Sequence, residues 1–434
     1  MNLVLRNYFI ATLILALALL AVPASAQKNV ETLTIDDVVA IAVKNSPAAL
    51  AAEQDIIIAK QRVLEARFMA LPQFTLSGTL SRASLEYPAL LGAELGDRYL
   101  DPRVGDNFYS LRVQALQPLY TGGKNTNTLK LAKTANNQAK VNFEAVRADA
   151  ALAAKKAFYT LLYQRRLKEA SGAWLKRAGE LSSGLRKDPF EDLEAAMLLS
   201  GLSDRARQAE SGAEAALTDL RKALNREPGS QLDAAGEFEP LPVQTDISRS
   251  LVTAMEARPE LKSELYKAQM DEIAVSMAMV RRNPTIYLGA SYDVNAYKFS
   301  SLTDDSERSN NWLASLAIHF PLSYDIWTQV RQRKAQQRQG ELKRAELQDS
   351  IRFEIISAHK EAVSWQAEAE KLAAETARMR AGYEAASRSA RPSMAALRAL
   401  CALCELEKKS LDAVYNQLLA RIRLEWAQGR DFAK

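Results

Sequence analysis

The chain has 434 residues, 57 basic and 52 acidic, for a net charge of +5, with only 17 glycines and 14 prolines. So few punctuating residues over such a length favour long helices over many short elements. With 25% charged residues and no concentrated basic stripe, nucleic-acid binding is not expected. Two His and two Cys exclude a His/Cys-built metal enzyme and a disulfide-stapled scaffold, so no metal or cofactor is expected.

Arg6 is the only charge in the first 26 residues and precedes the apolar run Tyr8–Val22 and the small-x-small sequence Ala24-Ser25-Ala26. This pattern predicts a signal peptide over 1–26 and an exported chain. The apolar run is short for a bilayer span; a retained membrane anchor is the alternative. No later run of 18 apolar residues follows, so no helix is expected to cross a membrane.

The rest of the chain reads as one unit written twice. Pro47 and Pro259 are 212 apart, as are Pro72 and Pro284. Pro118 and Pro321 are 203 apart, as are Pro189 and Pro392. The offset falls by nine between the second and third landmarks, so the first copy carries about nine extra residues there. The expected repeats are 27–242 and 243–434.

Each repeat opens with helices. Thr34 with Asp37 three residues on resembles a capping box, and Ser46-Pro47 reads as a cap plus first-turn proline for a helix to about Ala70. Alternation then takes over. Phe74, Leu76, Gly78 and Leu80 face away from Thr75, Ser77, Thr79 and Ser81, which predicts a strand near 73–83. Tyr109, Leu111, Val113 and Ala115 mark its partner near 107–117. The second repeat has Ile286, Leu288, Ala290, Tyr292 and Val294 near 285–295, and Trp312, Ala314, Leu316, Ile318 and Phe320 near 311–320. Period two with one apolar face is a half-buried strand.

A long helix follows each hairpin. Lys124 to Leu181 lacks proline and is Ala-rich, with Ala132, Ala135, Ala139, Ala145 and Ala148 among its alanines. At about 1.5 Å per residue it would reach roughly 85–90 Å, beyond an ordinary globular domain. Asp325 to Arg391 also lacks proline. Breaks at Lys187-Asp188-Pro189 and Ala390-Arg391-Pro392 precede returning helices. Their predicted seams are Leu193, Ala196, Leu199 and Leu202, and Leu397, Leu400, Leu403 and Leu406.

Four strands of about ten residues are too few to close a barrel, yet ten residues is the length a tilted strand needs to cross a bilayer. An open sheet edge cannot stand in lipid. Closure then requires strands from two to four identical chains. The apolar faces would meet outer-membrane lipid and the Ser/Thr/Gln faces would line water. Phe108, Tyr109, Tyr292 and Trp312 suit interfacial girdles. A soluble sheet with one face on a core is the alternative. Lys155, Lys156, Arg165 and Arg166 must reach water, which a hollow helical barrel or a long coiled coil allows.

At this point the layout resembles the TolC-like outer-membrane efflux protein family over the whole mature chain. Gln117-Pro118-Leu119-Tyr120-Thr121-Gly122-Gly123 looks like the family's Q-P-L-[FY]-x-G-G strand-to-helix joint. Pro321-Leu322-Ser323-Tyr324 is a degenerate second copy. The resemblance implies an α+β membrane protein and a homotrimer whose twelve-stranded β-barrel continues into a periplasmic α-helical barrel. Its implied partners are a periplasmic adaptor and an inner-membrane transporter. Tyr383 to Ser389 resembles the family's Y-x-x-G-[ST]-R-[ST] turn, which carries Tyr383 and Arg388 onto a periplasmic gate with Asp192 as carboxylate partner. Gly184, Leu185, Ser387 and Ser389 become adaptor-contact tips. Ala386 replaces the family's glycine, and no second constriction carboxylate follows. The implied function is a passive exit duct for efflux or type I secretion, not an enzyme. A periplasmic adaptor or structural coiled coil is the rival.

Other signals are weaker. Cys401 and Cys404 lie within a helical pattern and read as packing residues. His319 and His359 have no catalytic partner at useful spacing. Asp304, Asp305 and Glu307 read as solvated loop residues.

Overall fold

A computed structural model describes residues 31–82, 107–184, 188–243, 246–321, 324–389 and 392–429. The expected signal peptide and Leu185 lie outside these residues. In chain order the elements are β1 (Glu31–Leu33), α1 (Ile35–Asn45), α2 (Pro47–Phe68), β2 (Gln73–Arg82), β3 (Asn107–Tyr120), α3 (Lys124–Ser183) and α4 (Pro189–Ala223). They continue with β4 (Leu232–Ala234), α5 (Ile247–Ala257), α6 (Pro259–Val280), β5 (Thr285–Ala296), a short 3-10 turn (Ser300–Thr303), β6 (Ser309–His319), α7 (Asp325–Ser389) and α8 (Met394–Ala427). Helix–helix–strand–strand–helix–helix thus occurs twice along the chain.

The caps that the sequence predicts are present. Thr34 N–H donates to Asp37 Oδ2 at 3.1 Å and Asp37 N–H donates back to Thr34 Oγ1 at 3.3 Å, a reciprocal capping box. Ser46 Oγ accepts from Ala49 N–H at 3.4 Å, with Pro47 in the first turn. Asp188 Oδ1 accepts from Phe190 and Glu191 N–H at 2.9 and 2.8 Å, and so starts α4.

The chain forms two compact units, each built from both halves of the sequence. One comprises Ala42–Ala153, Pro240–Met379 and Asp412–Lys434 and holds a four-stranded antiparallel sheet in the order β2-β3-β5-β6. The two hairpins join through β3 and β5, and β2 and β6 are the edges. Beneath, α5, α7 and α8 pack Ala254, Ile355, Ala358, Ala362, Ala420 and Leu424. Arg258 is buried there: it donates to Glu354 at 2.6 Å and Glu260 at 3.1 Å and lies 4.8 Å over the Trp426 ring.

Among the described residues the other unit comprises 31–41, Ala154–Glu239 and Arg380–Leu411. It contains a pairing that the sequence reading missed: β1 and β4 run parallel, with Thr32 opposite Asp233. Arg165, expected simply to reach water, pairs with Asp233 and donates to Ala234 O at 3.2 Å, fixing β4 to α3. Three-residue strands have no detectable alternation, so only tertiary contact reveals them.

The seam of α4 also differs from expectation. Leu193 and Ala196 are exposed, and the buried positions are Ala195, Leu202, Ala209 and Ala216. That is a strict seven-residue repeat, which puts small residues on the contact line. Of the expected seam Leu202 is buried, Leu199 is half-buried, and Leu193 and Ala196 lie off the stripe. On α8 Leu397, Leu400 and Leu403 are buried as expected, Leu406 is half-buried, and the seam continues through Cys404 and Glu407.

Candidate functional site

The first candidate surface is the sheet. Register puts Leu76, Val113, Tyr292 and Trp312 in one row and Phe74, Ala115, Ala290 and Ala314 in the next. These rows belong to one apolar face that runs unbroken over four strands. It is unburied: Phe74 is 75% exposed, Leu76 69% and Trp312 78%. The opposite face carries the row Ser77, Arg112, Asp293 and Asn311, in which Arg112 and Asp293 form an ion pair. Leu313 is an apolar exception on that face.

The strand-to-helix joint explains its motif residue by residue. At Pro118, which has no N–H for the ladder, the β3–β5 register shifts between Pro118 and Tyr120. Gln117 Nε2 donates to Ala70 O at 3.0 Å and to Pro118 O at 2.9 Å, satisfying a carbonyl just beyond α2. Gly122 and Gly123 take φ values of +65° and +98°, the left-handed region that favours glycine. A Cβ on Gly122 would lie 2.7 Å from Asn283 Cβ, and Asn283 Nδ2 donates to Gly122 O at 2.9 Å. The motif of the first repeat therefore locks onto the α6–β5 turn of the second. Pro321 follows β6 and is half-buried.

The second unit holds the expected tip residues. Gly184 lies against the opposite turn, where an added Cβ would stand 3.7 Å from Pro392 Cγ. Asp192 is exposed on the first turn of α4, and Ser387 and Arg388 are exposed near the end of α7. With alanine at position 386, α7 stays helical to Ser389. Tyr383 instead packs against a cluster of Trp174, Ala178, Ala195, Leu202, Leu397 and Cys404. Burial raises its phenol above the ordinary value, so it stays neutral.

The same cluster contains a polar feature that sequence reasoning missed. Glu407 is buried on α8; it accepts from Trp174 Nε1 at 2.5 Å and from Arg380 Nε and Nη2 at 2.9 and 2.7 Å. One carboxylate thus ties α3, α7 and α8 together. The available signal was its place three residues after Cys404 on a leucine seam, where a charge needs a partner. Nearer the turns, Arg398 Nε donates to Glu194 Oε1 at 2.6 Å, binding α8 to α4. This hydrogen bond holds the Glu194 carboxyl below its usual range. Cys404 is free, and burial together with nearby Glu407 pushes its thiol up to about 12. Among the described residues no group of His, Cys, Asp or Glu could hold a metal ion.

Residues 38–183 match the sequence model of the family described as Outer membrane efflux protein, and this stretch includes Gln117 to Gly123. Over that stretch the sequence is similar to the outer-membrane efflux protein family. No curated protein sequence matches this chain. Among solved structures, the Campylobacter jejuni CmeC outer membrane channel superposes with a TM-score of 0.77 at 16% identity, covering 91% of this chain and 85% of that one. VceC, an outer membrane protein of Vibrio cholerae, gives 0.73 at 14% identity, covering 91% and 96%. The open state of the Neisseria gonorrhoeae MtrE outer membrane channel gives 0.75 at 16% identity, covering 91% and 88%. The fold shared with these channels therefore extends beyond the stretch matched in sequence. No helix among the described residues is long and apolar enough to cross a membrane.

Proposed function

We propose that this chain is the outer-membrane exit duct of a tripartite efflux or type I secretion assembly. The observation that carries the proposal is the exposed apolar face across four strands whose two edges have no strand partner among the described residues. Lipid would cover that face, and neighbouring copies would pair the edges, since unpaired strand groups cannot stand in hydrocarbon. Three chains of four strands make twelve. Arg112 and Asp293 favour the opposite face as the water-lined one. An arginine on the lipid face would cost about 2–4 kcal/mol near the midplane. The repeats 27–242 and 243–434 are two copies of one unit, each contributing a hairpin.

The duct is passive, and transport energy comes from an inner-membrane transporter joined through a periplasmic adaptor. The tips near Gly184, Leu185, Ser387 and Ser389 contact the adaptor. Asp192, Tyr383 and Arg388 contribute to a gate whose opening is a population shift that adaptor binding favours. A periplasmic adaptor as the chain's own role is not favoured, because it leaves the apolar sheet face without an occupant.

Reconstitution into planar bilayers tests the proposal. Expected are a heat-resistant trimer, discrete channels, and higher single-channel conductance in Arg388→Ala or Asp192→Ala. A detergent-free, stable monomer would remove the duct. Unchanged conductance in both variants would remove the gate assignment alone.

A further inference from the structure

The unit that carries the sheet also contains a cavity of about 550 Å³ that neither the gate nor the strand faces use. It opens where strands become helices: Thr121 follows β3, Thr285 begins β5, and Pro321 follows β6. Its apolar wall includes Leu131, Met277 and Val280. Lys124, Arg281 and Arg333 supply three cations, and among the described residues no carboxylate lines it. Asp325 lies 3.7 Å from Arg281 and offsets one of these charges. Arg333 donates to the neutral Gln336 at 2.9 Å.

The surroundings indicate the medium. At the same end of the sheet, Phe320, Tyr324 and Trp327 are 63%, 97% and 61% exposed, and Tyr120 is 46% exposed. Arg282 lies 5.8 Å over the Trp327 ring. Amphipathic rings backed by arginines suit a membrane–water interface, where the rings sit at headgroup level. A cationic, apolar-walled cavity at that level has the chemistry of an anionic lipid site. Guanidinium and ammonium groups match a phosphate, and the apolar wall matches the first acyl carbons.

We propose that this cavity binds an anionic phospholipid of the adjoining leaflet. Its phosphodiester sits against Lys124, Arg281 and Arg333, and its proximal acyl chain against Leu131, Met277 and Val280. The proposal rests on the membrane reading of the sheet given above. A zwitterionic lipid would bring its own ammonium against the three cations and bind less well.

The test uses the full mature chain in nanodiscs of phosphatidylcholine. These contain a minor fraction of either phosphatidylglycerol or phosphatidylcholine brominated near the headgroup. Trp312→Phe reports Trp327, Trp327→Phe reports Trp312, and the double variant supplies the background from the remaining tryptophans. Quenching of Trp327 should be at least about twofold stronger with brominated phosphatidylglycerol, because cations near a membrane surface enrich anionic lipid. Lys124→Gln/Arg333→Gln, which leaves the Arg281–Asp325 contact in place, should abolish that preference. Trp312 should be quenched equally by both lipids. Equal quenching of Trp327 by the two lipids, or a preference that survives in the double-Gln variant, overturns the lipid site while Trp312 quenching upholds the membrane reading. Loss of the preference on adding inorganic phosphate overturns it in favour of a free-anion site. Absence of Trp312 quenching by either lipid overturns the membrane reading and the lipid site with it.

Discussion

Gly122→Ala is the sharpest perturbation of the strand-to-helix joint. At φ +65° an L-residue costs roughly 1–2 kcal/mol. The new Cβ would stand 2.7 Å from Asn283 Cβ and 3.3 Å from Val280 O, so Asn283 must move and backbone limits the retreat. Moving Asn283 weakens its hydrogen bond to Gly122 O, worth about 0.5–1.5 kcal/mol. The expected destabilisation is about 2–4 kcal/mol. Gly78→Ala is the control. Nothing lies within 4 Å of a Cβ there, and its expected effect is within about 0.5 kcal/mol. Under the proposed membrane assembly, unfolding is best read as a rate, so the assay is the decay of its detergent-resistant oligomer at fixed temperature. Gly122→Ala should lose it up to on the order of a hundredfold faster, if most of the cost appears in the unfolding barrier. Gly122→Ala/Asn283→Gly should recover the steric part and leave the backbone part. Equal decay of Gly122→Ala and Gly78→Ala would refute the reasoning.

Glu407→Gln should destabilise the helical tip unit by about 1–2 kcal/mol, below the cost of breaking a fully buried pair, because Arg380 is half-exposed. Glu407→Ala should cost more, since it strands the Trp174 N–H; chemical denaturation followed by tryptophan emission compares the two. Cys404 should resist maleimide at neutral pH in the folded protein and react once it is unfolded. A thiol raised from 9.0 to about 12 in the folded state supports folding fully below pH 9. That support is lost as pH rises towards 12, so Cys404→Ala should flatten the alkaline limb of a stability profile. Hydrogen bonds from Thr34 hold the Asp37 carboxyl below its ordinary 3.8, so its support is present above that pH and is lost as pH falls through the folded value. Asp37→Asn should accordingly weaken the acid dependence of helix content.

Much of the architecture was legible in the chain. Strands expected at 73–83, 107–117, 285–295 and 311–320 are found at Gln73–Arg82, Asn107–Tyr120, Thr285–Ala296 and Ser309–His319. Long elements with one repeating face overdetermine their own conformation, which is why these bounds agree closely. The joint was legible as a motif, but not its reason: the partner of Gly122 is Asn283, 161 residues away. The α4 seam was only partly legible: Leu202 lies on it, but Ala195, Ala209 and Ala216, small residues that allow a close helix approach, carry the rest. The β1–β4 pair was illegible, since a three-residue strand does not repeat, and the place of Glu407 on a seam pointed to a partner without naming Trp174 or Arg380.

The sequence alone determined where helices and strands run, because periodicity and proline spacing are local or translational properties of the chain. It also determined that the sheet has one apolar and one polar face, because side chains alternate at every residue along a strand. Only the tertiary structure decided that β3 pairs with β5, that Glu407 joins three helices, and that Lys124, Arg281 and Arg333 gather round one cavity. Each of these is a meeting of groups far apart in the chain. It depends on which surfaces pack together, and no single segment records that.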